Sequence, residues 1–353
     1  MQRTEGIFSF NLPQDLIARE PPERRGISRS DVKLMDLNRS NYGITHSSFR
    51  HLSNFLQPGD LLVFNASRTL PASIVGRDFD TRTAIELRLA EHLEDGNWLA
   101  LLSCKEGDAF GCRLHEGMVI AFEGDMQCKV ESRDTRIKRL WKVRFSKSEK
   151  DLISYLHAYG RPISYEYVTS DWGIEYYQNA YSTIPGSMET PSAGRAFTWE
   201  SLFNLKRKGI QSTFVILHSS LSSYIDEELD ERHLLPEEEY FISEKSASDI
   251  NSARCEGRRV IAVGTTVVRA LESASFVSGR VLPVSGERTK LKITSAHRLK
   301  AVDGLLTGFH EPRASHLDML SAFVPLEELR RSYEEAVQHR YLWHEFGDLN
   351  LIL

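Results

Sequence analysis

A change in the pattern of apolar residues constrains this fold more than any other feature of the sequence. Between residues 72 and 147, short apolar runs are separated by polar turns at intervals of roughly 8–12 residues, which is typical of small barrels and sandwiches. Asp95-Gly96 separates two of these runs, AIELRLAEHL and WLALLS, and an Asp-Gly pair there is a strong hairpin signal. The pattern predicts an all-β, barrel-like domain over residues 72–147.

The segments on either side have a different pattern, in which apolar strands alternate with helices. GDLLVFN, STFVILH and RRVIAVGTT are short apolar runs that predict buried strands. Thr198 as N-cap and Gly209 as a stop signal delimit a helix before the second of them. The sequence therefore predicts an α/β main domain formed by residues 1–71 and 148–353, with the all-β domain inserted into it.

Composition narrows the class of protein. The 353 residues are 41% hydrophobic and carry a formal net charge of −5, which suits two folded domains and gives no overall nucleic-acid signal. No apolar run approaches the roughly 18–20 residues of a membrane span, and the N-terminal segment lacks the apolar core of a signal peptide. The cysteines form no C-x-x-C pair. We expect a reduced, cytoplasmic protein without a disulfide framework and without a membrane partner.

Several familiar motifs are absent from the sequence. It contains no G-x-G-x-x-G, no G-x-x-x-x-G-K-[ST], no G-x-S-x-G and no H-E-x-x-H. His310 and His316 are six residues apart, a spacing that matches no common helix face, so no metal site is expected. The alternative for this pair is a turn histidine and a helix-capping histidine.

A strand-to-helix turn supplies the first candidate binding site. Gly264, Thr265 and Thr266 follow the apolar strand VIAV, and glycine allows close approach of a ligand to the backbone. Free N–H groups at the start of the next helix favour an anion such as a substrate carboxylate. Arg269, one turn further on, adds a candidate bidentate clamp. The alternatives are that Thr265 is only an N-cap and that Arg269 is a solvated surface residue.

Two further groups of polar residues are candidates for binding. Asn65, Ser67 and Arg68 lie where the chain leaves a buried strand, and ligand groups in open α/β sheets usually lie at such strand ends. Arg24, Arg25 and Arg29 lie close together near the N-terminus and predict a phosphate site. The alternatives are a polar loop that leads into the β domain and a solvated arginine loop.

Positive charge is concentrated in one part of the β domain. Residues 129–147 contain eight lysines and arginines and two acidic residues. A basic domain on an acidic body can contact phosphates despite the overall negative charge, so RNA is a candidate partner. The alternative is a solvated strand face, since no aromatic RNA-binding motif accompanies the charge.

The chain resembles a known family nearly from end to end. The blocks that carry the resemblance are FNLPQDLIAREPPERRGISR, LQPGDLLVFNASRTLPASIVGR, YQNAY, TPSAGRAFT, GRRVIAVGTTVVRALES, VDGLLTGFHEPRASHLDMLSAF and EFGDLNLIL. In this order they resemble the S-adenosylmethionine:tRNA ribosyltransferase-isomerases of the queuosine pathway. The resemblance implies an α/β domain with an inserted barrel, S-adenosylmethionine as ribosyl donor rather than cofactor, and a 7-aminomethyl-7-deazaguanine base in tRNA as acceptor. Epoxyqueuosine would be the product, with adenine and methionine released.

The chemistry implied by the resemblance assigns roles to particular residues. His310 is the candidate general base or acid, because imidazole titrates near neutrality. Asp303 and Asp348 are candidates to orient the acceptor amine or stabilise the sulfonium, while Thr265, Thr266 and Arg269 would hold the donor carboxylate. The alternatives are a buried, hydrogen-bonded His310 and two aspartates that cap turns.

The chain departs from the family signature at polar positions. PTAGLHFT is replaced by PSAGRAFT, which puts Arg195 and Ala196 where leucine and histidine are expected, and SYGDAMLI is replaced by EFGDLNLI. Three hypotheses therefore stand at this point. They are tRNA ribosyl transfer, a related transferase with a small-molecule acceptor, and a non-catalytic binding protein on the same scaffold.

Overall fold

The computed structural model describes residues 8–104, 113–221, 237–275 and 279–353. In chain order its strands are β1 (Lys33–Leu37), β2 (Ile44–Ser48), β3 (Leu61–Asn65), β4 (Ser67–Thr69), β5 (Ser73–Asp78), β6 (Ala84–His92), β7 (Trp98–Cys104), β8 (Val119–Ala121), β9 (Gln127–Arg133), β10 (Leu140–Phe145), β11 (Ile184–Ser187), β12 (Gln211–Leu217), β13 (Glu238–Ile242), β14 (Val260–Val263), β15 (Val284–Thr289), β16 (Gly304–Gly308) and β17 (Leu349–Ile352). The α-helices are α1 (Glu149–Tyr159), α2 (Trp199–Arg207), α3 (Glu244–Cys255), α4 (Thr265–Ser275), α5 (Ser315–Leu320) and α6 (Leu326–Gln338).

A mixed sheet forms the main domain. Its described strands follow the order β15-β13-β12-β3-β14-β16-β17-β1-β2. The central strands β12, β3, β14 and β16 are parallel, so their carboxyl ends meet at one edge of the sheet. β17 runs antiparallel to β16 and parallel to β1, which brings the start of β17 to that same edge.

Both faces of this sheet are covered, which explains why β3 reads as a continuous apolar run. Leu61 and Val63 pack into one core with residues of α3, α4 and α6. Leu62 and Phe64 point to the opposite face, where Phe197 packs at the start of α2. The predicted α2 cap is confirmed, because Thr198 accepts a hydrogen bond from the Ser201 N–H in a capping box.

The all-β segment closes into a barrel of six strands in the order β10-β7-β6-β5-β8-β9. The predicted fold class, an α/β domain with an inserted barrel, is therefore confirmed. The Asp95-Gly96 hairpin joins β6 to β7, and Gly96 has a φ of +76°, which favours glycine. The barrel core extends beyond residue 147, since Leu152 and Leu156 of α1 pack into it.

The cysteines differ from the sequence-based expectation in one respect. Cys128 and Cys255 are free, but Cys104 at the end of β7 is disulfide-bonded. The expectation that disulfides are absent is therefore wrong at Cys104, because residue spacing alone does not report which thiols approach each other.

Over the described ranges, no helix has both the length and the apolar character needed to cross a bilayer.

Candidate functional site

The carboxyl edge of the parallel strands gathers most of the predicted polar residues. Asn65 is the last residue of β3, and its side chain is buried. Both polar atoms of its amide group make two hydrogen bonds each. Its Nδ2 donates to Leu217 O at 2.9 Å and to Thr266 Oγ1 at 3.1 Å, while its Oδ1 accepts from the Ser67 and Leu217 N–H groups at 3.0 Å. Asn65 therefore fixes the ends of β3 and β12 against the start of α4 and has no hydrogen-bonding capacity left for a ligand.

The Gly264 turn has the predicted form. Gly264 has a φ of +98°, and α4 begins at the next residue, Thr265. A Cβ at Gly264 would lie 3.6 Å from the Ala193 Cβ, so the turn faces the short 3₁₀ segment Ser192–Gly194. Thr265 and Thr266 are half-buried. The start of α4 thus presents N–H groups beside a second turn, as an anion site requires.

His310 lies just after β16 in a group of histidines. Its Nε2 is 2.9 Å from Thr307 Oγ1, and its ring stacks on that of His316 with centroids 4.5 Å apart. Burial, together with the neighbouring His316 and His344, holds the pKa of His310 well below its ordinary value. His310 is therefore a neutral imidazole at physiological pH, and the same burial disfavours the protonated form that a general base must reach.

His344 and Glu345 extend this group toward the C-terminus. The His344 ring stacks on Tyr167 at 4.1 Å, and its Nε2 is 3.1 Å from Glu311 Oε1. Tyr167 donates to Glu345 Oε2 at 2.5 Å. Burial raises the pKa of Glu345 to about 7, against the lowering effects of the Tyr167 hydrogen bond and the Arg195 charge. This carboxyl group therefore exchanges its proton near neutral pH, as acid–base catalysis requires.

Arg195 is buried and points away from solvent, with only 3% of its surface exposed. Its Nε donates to Tyr176 O at 2.7 Å, its Nη1 donates to Glu345 O at 3.0 Å, and the guanidinium lies 4.6 Å from the centre of the Phe346 ring. Burial is the main cause that lowers its pKa to about 10. The two departures from the family signature, at 195 and at 345–346, therefore contact each other.

A small cavity lies beside part of this group, at Arg195, His344 and Glu345. It is lined by Pro22, Arg29, Val32, Ser192, Arg195, Ala196, Gly308, His344, Glu345, Gly347, Asp348 and Leu349. Asp348 lies at this edge as predicted, but both its oxygens accept backbone hydrogen bonds, from the Lys33 and Leu342 N–H groups at 2.7 and 2.8 Å. Burial raises the pKa of this carboxyl group. Asp348 therefore ties the start of β17 to β1 and to the preceding loop through both of its oxygens.

Of the predicted site residues, Arg29 and Asp348 line this cavity and the others do not. Asp303 lies at the amino end of β16, where its Oδ2 accepts from the Val260 N–H at 2.8 Å, so the prediction that it meets His310 is wrong. Arg68 lies on β4 with an exposed side chain, on the face opposite the buried Ser67. Arg269 donates to Glu238 Oε2 at 2.6 Å, so it would have to break an ion pair to bind a substrate carboxylate.

The three N-terminal arginines do not form one anion site. Arg24 is exposed and lies over the Trp172 and Tyr176 rings, whereas Arg25 donates to Glu20 O and Phe346 O. Arg29 pairs with Glu23 at 2.7 Å. The predicted shared phosphate site is therefore wrong, because each guanidinium is directed to a different partner.

The basic stretch of the barrel is partly neutralised. Lys142 and Arg144 lie on the outer face of β10, because the alternate residues Trp141 and Val143 are buried. Arg144 pairs with Glu131 at 3.1 Å and Lys142 pairs with Asp95. The surface retains positive charge, but less than the sequence count of eight basic residues indicates.

A second polar group at this edge was predicted only at Ser67. Ser67 Oγ lies 2.6 Å from Ser187 Oγ and 2.8 Å from His218 Nδ1, and burial lowers the pKa of His218 to about 4. Ser67 stands in the same block as Asn65, which was the available sequence signal. His218 and Ser187 come from distant segments, so their approach is visible only in the structure.

The fold and the site define an α/β protein with an inserted barrel and a group of polar residues at the carboxyl edge of its parallel strands. Residues 6–352 match the family model described as Queuosine biosynthesis protein, and the chain belongs to that family.

Relatives and a solved structure are similar over the whole length. S-adenosylmethionine:tRNA ribosyltransferase-isomerase from Caldanaerobacter subterraneus subsp. tengcongensis is 33% identical over 100% of both chains. The protein of the same name from Carboxydothermus hydrogenoformans is 35% identical over 98% of both. The crystal structure of S-adenosylmethionine tRNA ribosyltransferase from Thermotoga maritima is 29% identical, covers 98% of this chain and 99% of its own, and has a TM-score of 0.53.

Proposed function

We propose that this protein is an S-adenosylmethionine:tRNA ribosyltransferase-isomerase. It transfers and isomerises the ribosyl group of S-adenosylmethionine onto 7-aminomethyl-7-deazaguanine in tRNA and forms epoxyqueuosine. The observation that carries the proposal is the full-length similarity to enzymes of that name. S-adenosylmethionine is a substrate here, no further cofactor is proposed, and a cytoplasmic location follows from the need for tRNA.

Proton transfer is the first demand of this chemistry. The donor's C5′ proton is acidified by the adjacent sulfonium, and a base must reach it. His310 is neutral at physiological pH and stacked on His316, which holds the plane of its ring. We assign His310 as the base and Glu345, with a pKa near 7, as a second group that exchanges protons with the acceptor or leaving group.

The donor's charges need complementary partners. The turn at Gly264 to Thr266 offers helix N-terminal N–H groups to the methionine carboxylate. The sulfonium cation requires that no uncompensated positive charge faces it. Arg195 meets this requirement because its guanidinium is held by the Tyr176 and Glu345 carbonyl groups and lies 3.9 Å from Glu23 Oε2.

We assign binding of the acceptor, tRNA, to the barrel. Its outer face carries Lys129 and Arg133 as exposed basic residues on β9. Affinity for tRNA should fall with salt, with a slope of roughly 0.7–0.9 for each phosphate neutralised. No particular observation favours a small-molecule acceptor or a non-catalytic protein, and the guanidinium at the altered position 195 makes two hydrogen bonds within the fold.

The test is release of adenine from S-adenosylmethionine with tRNA that carries the deazaguanine precursor. Mature tRNA without that base is the substrate control, and His310→Ala is the enzyme control. We expect adenine release only with the precursor tRNA, and epoxyqueuosine in the digested product. Binding of both substrates without adenine release would overturn the catalytic proposal, and release without tRNA would indicate another acceptor.

A further inference from the structure

Three potential metal ligands meet at the edge strand β2, on residues that the proposed active site does not use. Within the described residues, His46, Glu335 and His339 place one ligand atom each within 4.8 Å of one another. His46 Nε2 is 3.0 Å from Glu335 Oε1, and the two imidazole rings are 3.9 Å apart. Glu335 and His339 are four residues apart and therefore share one face at the end of α6.

The hydrogen bonds around His46 orient it as a ligand. Its Nδ1 lies 2.9 Å from Tyr341 Oη, and Tyr341 Oη donates to Leu34 O at 3.2 Å. The Tyr341 hydroxyl has a single proton, which this bond directs to Leu34 O. Because the hydroxyl donates its proton to Leu34 O, it must accept in its bond with His46, and the Nδ1–H group of His46 is the donor. Nε2 then directs a lone pair toward Glu335 Oε1, and a cation between the two atoms removes their repulsion.

We propose that His46, Glu335 and His339 form a surface site for a divalent transition metal of the zinc class, with water as the fourth ligand. Two histidines and a carboxylate are a donor set typical of Zn²⁺, and the Tyr341 contact is the outer-sphere hydrogen bond that zinc-binding histidines usually make. The carbonyl groups at the C-terminal end of α6 favour a cation nearby. The stacked imidazole rings must tilt apart on binding, which their exposed positions allow.

Neighbouring cations leave the ligand atoms available. Arg331 Nη1 is 3.9 Å from Glu335 Oε2, which leaves Oε1 to the site. Lys33 Nζ donates to the carbonyl oxygens of His339 and Arg340, so its charge is directed at the helix end. A bound metal would link edge strand β2 to α6, which are far apart in the sequence. It would stabilise the folded protein, because the unfolded chain has no such site.

The experiment uses the full-length, metal-stripped protein with Cys255→Ser, which removes the exposed free thiol as a competing ligand. Zn²⁺ binding is measured by calorimetry, ligand geometry by the visible spectrum of the Co²⁺ form, and the unfolding midpoint with and without Zn²⁺. His339→Ala and Glu335→Gln remove ligands, and His51→Ala is the matched control because His51 is also exposed.

We expect one Zn²⁺ per chain, an affinity at least about tenfold weaker in His339→Ala and Glu335→Gln, and unchanged binding in His51→Ala. Zn²⁺ should raise the unfolding midpoint of the parent and of the His51 variant only. Absence of saturable binding, or equal affinity in the parent and in a folded His339→Ala variant, would overturn the proposal. Adenine release plays no part in these measurements, so the result is independent of the proposed function.

Discussion

Replacing Arg195 by methionine tests whether this departure from the family signature is compensated within the fold. Methionine keeps an unbranched apolar stem over Phe346 and removes only the guanidinium. The change breaks two charge-assisted hydrogen bonds, of 2.7 and 3.0 Å, and leaves the Tyr176 and Glu345 carbonyl groups without these donors. Each unpaired buried acceptor costs about 1–3 kcal/mol, while relief of the buried charge offsets part of this cost.

We therefore expect the free energy of unfolding of Arg195→Met to fall by about 2–4 kcal/mol. Urea unfolding followed by tryptophan fluorescence measures it. Arg340→Met is the matched control, because Arg340 pairs with Asp15 on the surface and should change stability little. A loss below about 1 kcal/mol in Arg195→Met, the size of one neutral hydrogen bond, would refute the reasoning.

The same Arg195→Met variant should change the pKa of Glu345. The Arg195 charge lowers the pKa of Glu345, so its removal should raise that pKa above about 7. Side-chain ¹³C NMR of labelled glutamate measures the shift, with Glu345→Gln to identify the signal. An unchanged pKa would mean that the guanidinium charge does not act on this carboxyl group.

Three further changes have expected outcomes. His310→Ala should lower kcat for adenine release by about 10²–10⁴-fold with a much smaller effect on donor affinity, and a reduction below tenfold would exclude His310 as the base. Asn65→Ala should lower the free energy of unfolding by about 2–4 kcal/mol, as measured by urea unfolding. The reason is that two N–H donors, a carbonyl and a hydroxyl at this edge lose their hydrogen-bond partner. Because burial holds the pKa values of His310, His316 and His344 below that of an unfolded histidine, their contribution to stability is present above about pH 6.5 and should be lost as the pH falls toward 4. Urea midpoints from pH 7.5 to 4 test this, and a flat profile over that range would contradict it.

Local signals predicted the elements of the fold because those signals have local causes. The Asp95-Gly96 turn requires a residue with positive φ, and Gly96 supplies it at +76°. The continuous apolar run of β3 indicates a strand buried on both faces, and its side chains alternate between two cores as that pattern requires. Thr198 caps α2 through a bond within its own first turn.

The position of a residue before or after a predicted strand also predicted part of the site. Residues that directly follow parallel strands lie at one edge of a sheet, so Asn65, the Gly264 turn and His310 were expected together, and the structure brings them to that edge. Asp303 precedes its strand instead of following it and is therefore at the opposite edge. The family resemblance supplied the chemistry that is proposed for these residues, because their positions alone do not indicate it.

Only the tertiary structure decided which polar groups are available to a ligand. Asn65, Asp348 and Arg269 are all near the edge, but their hydrogen bonds and ion pair are made to residues distant in sequence. The contact between Arg195 and Glu345 joins segments 150 positions apart, as does the approach of Ser67 to His218 across 151. Sequence patterns report backbone preference and burial within a few residues, whereas the pairing of buried charges depends on long-range packing of the whole chain.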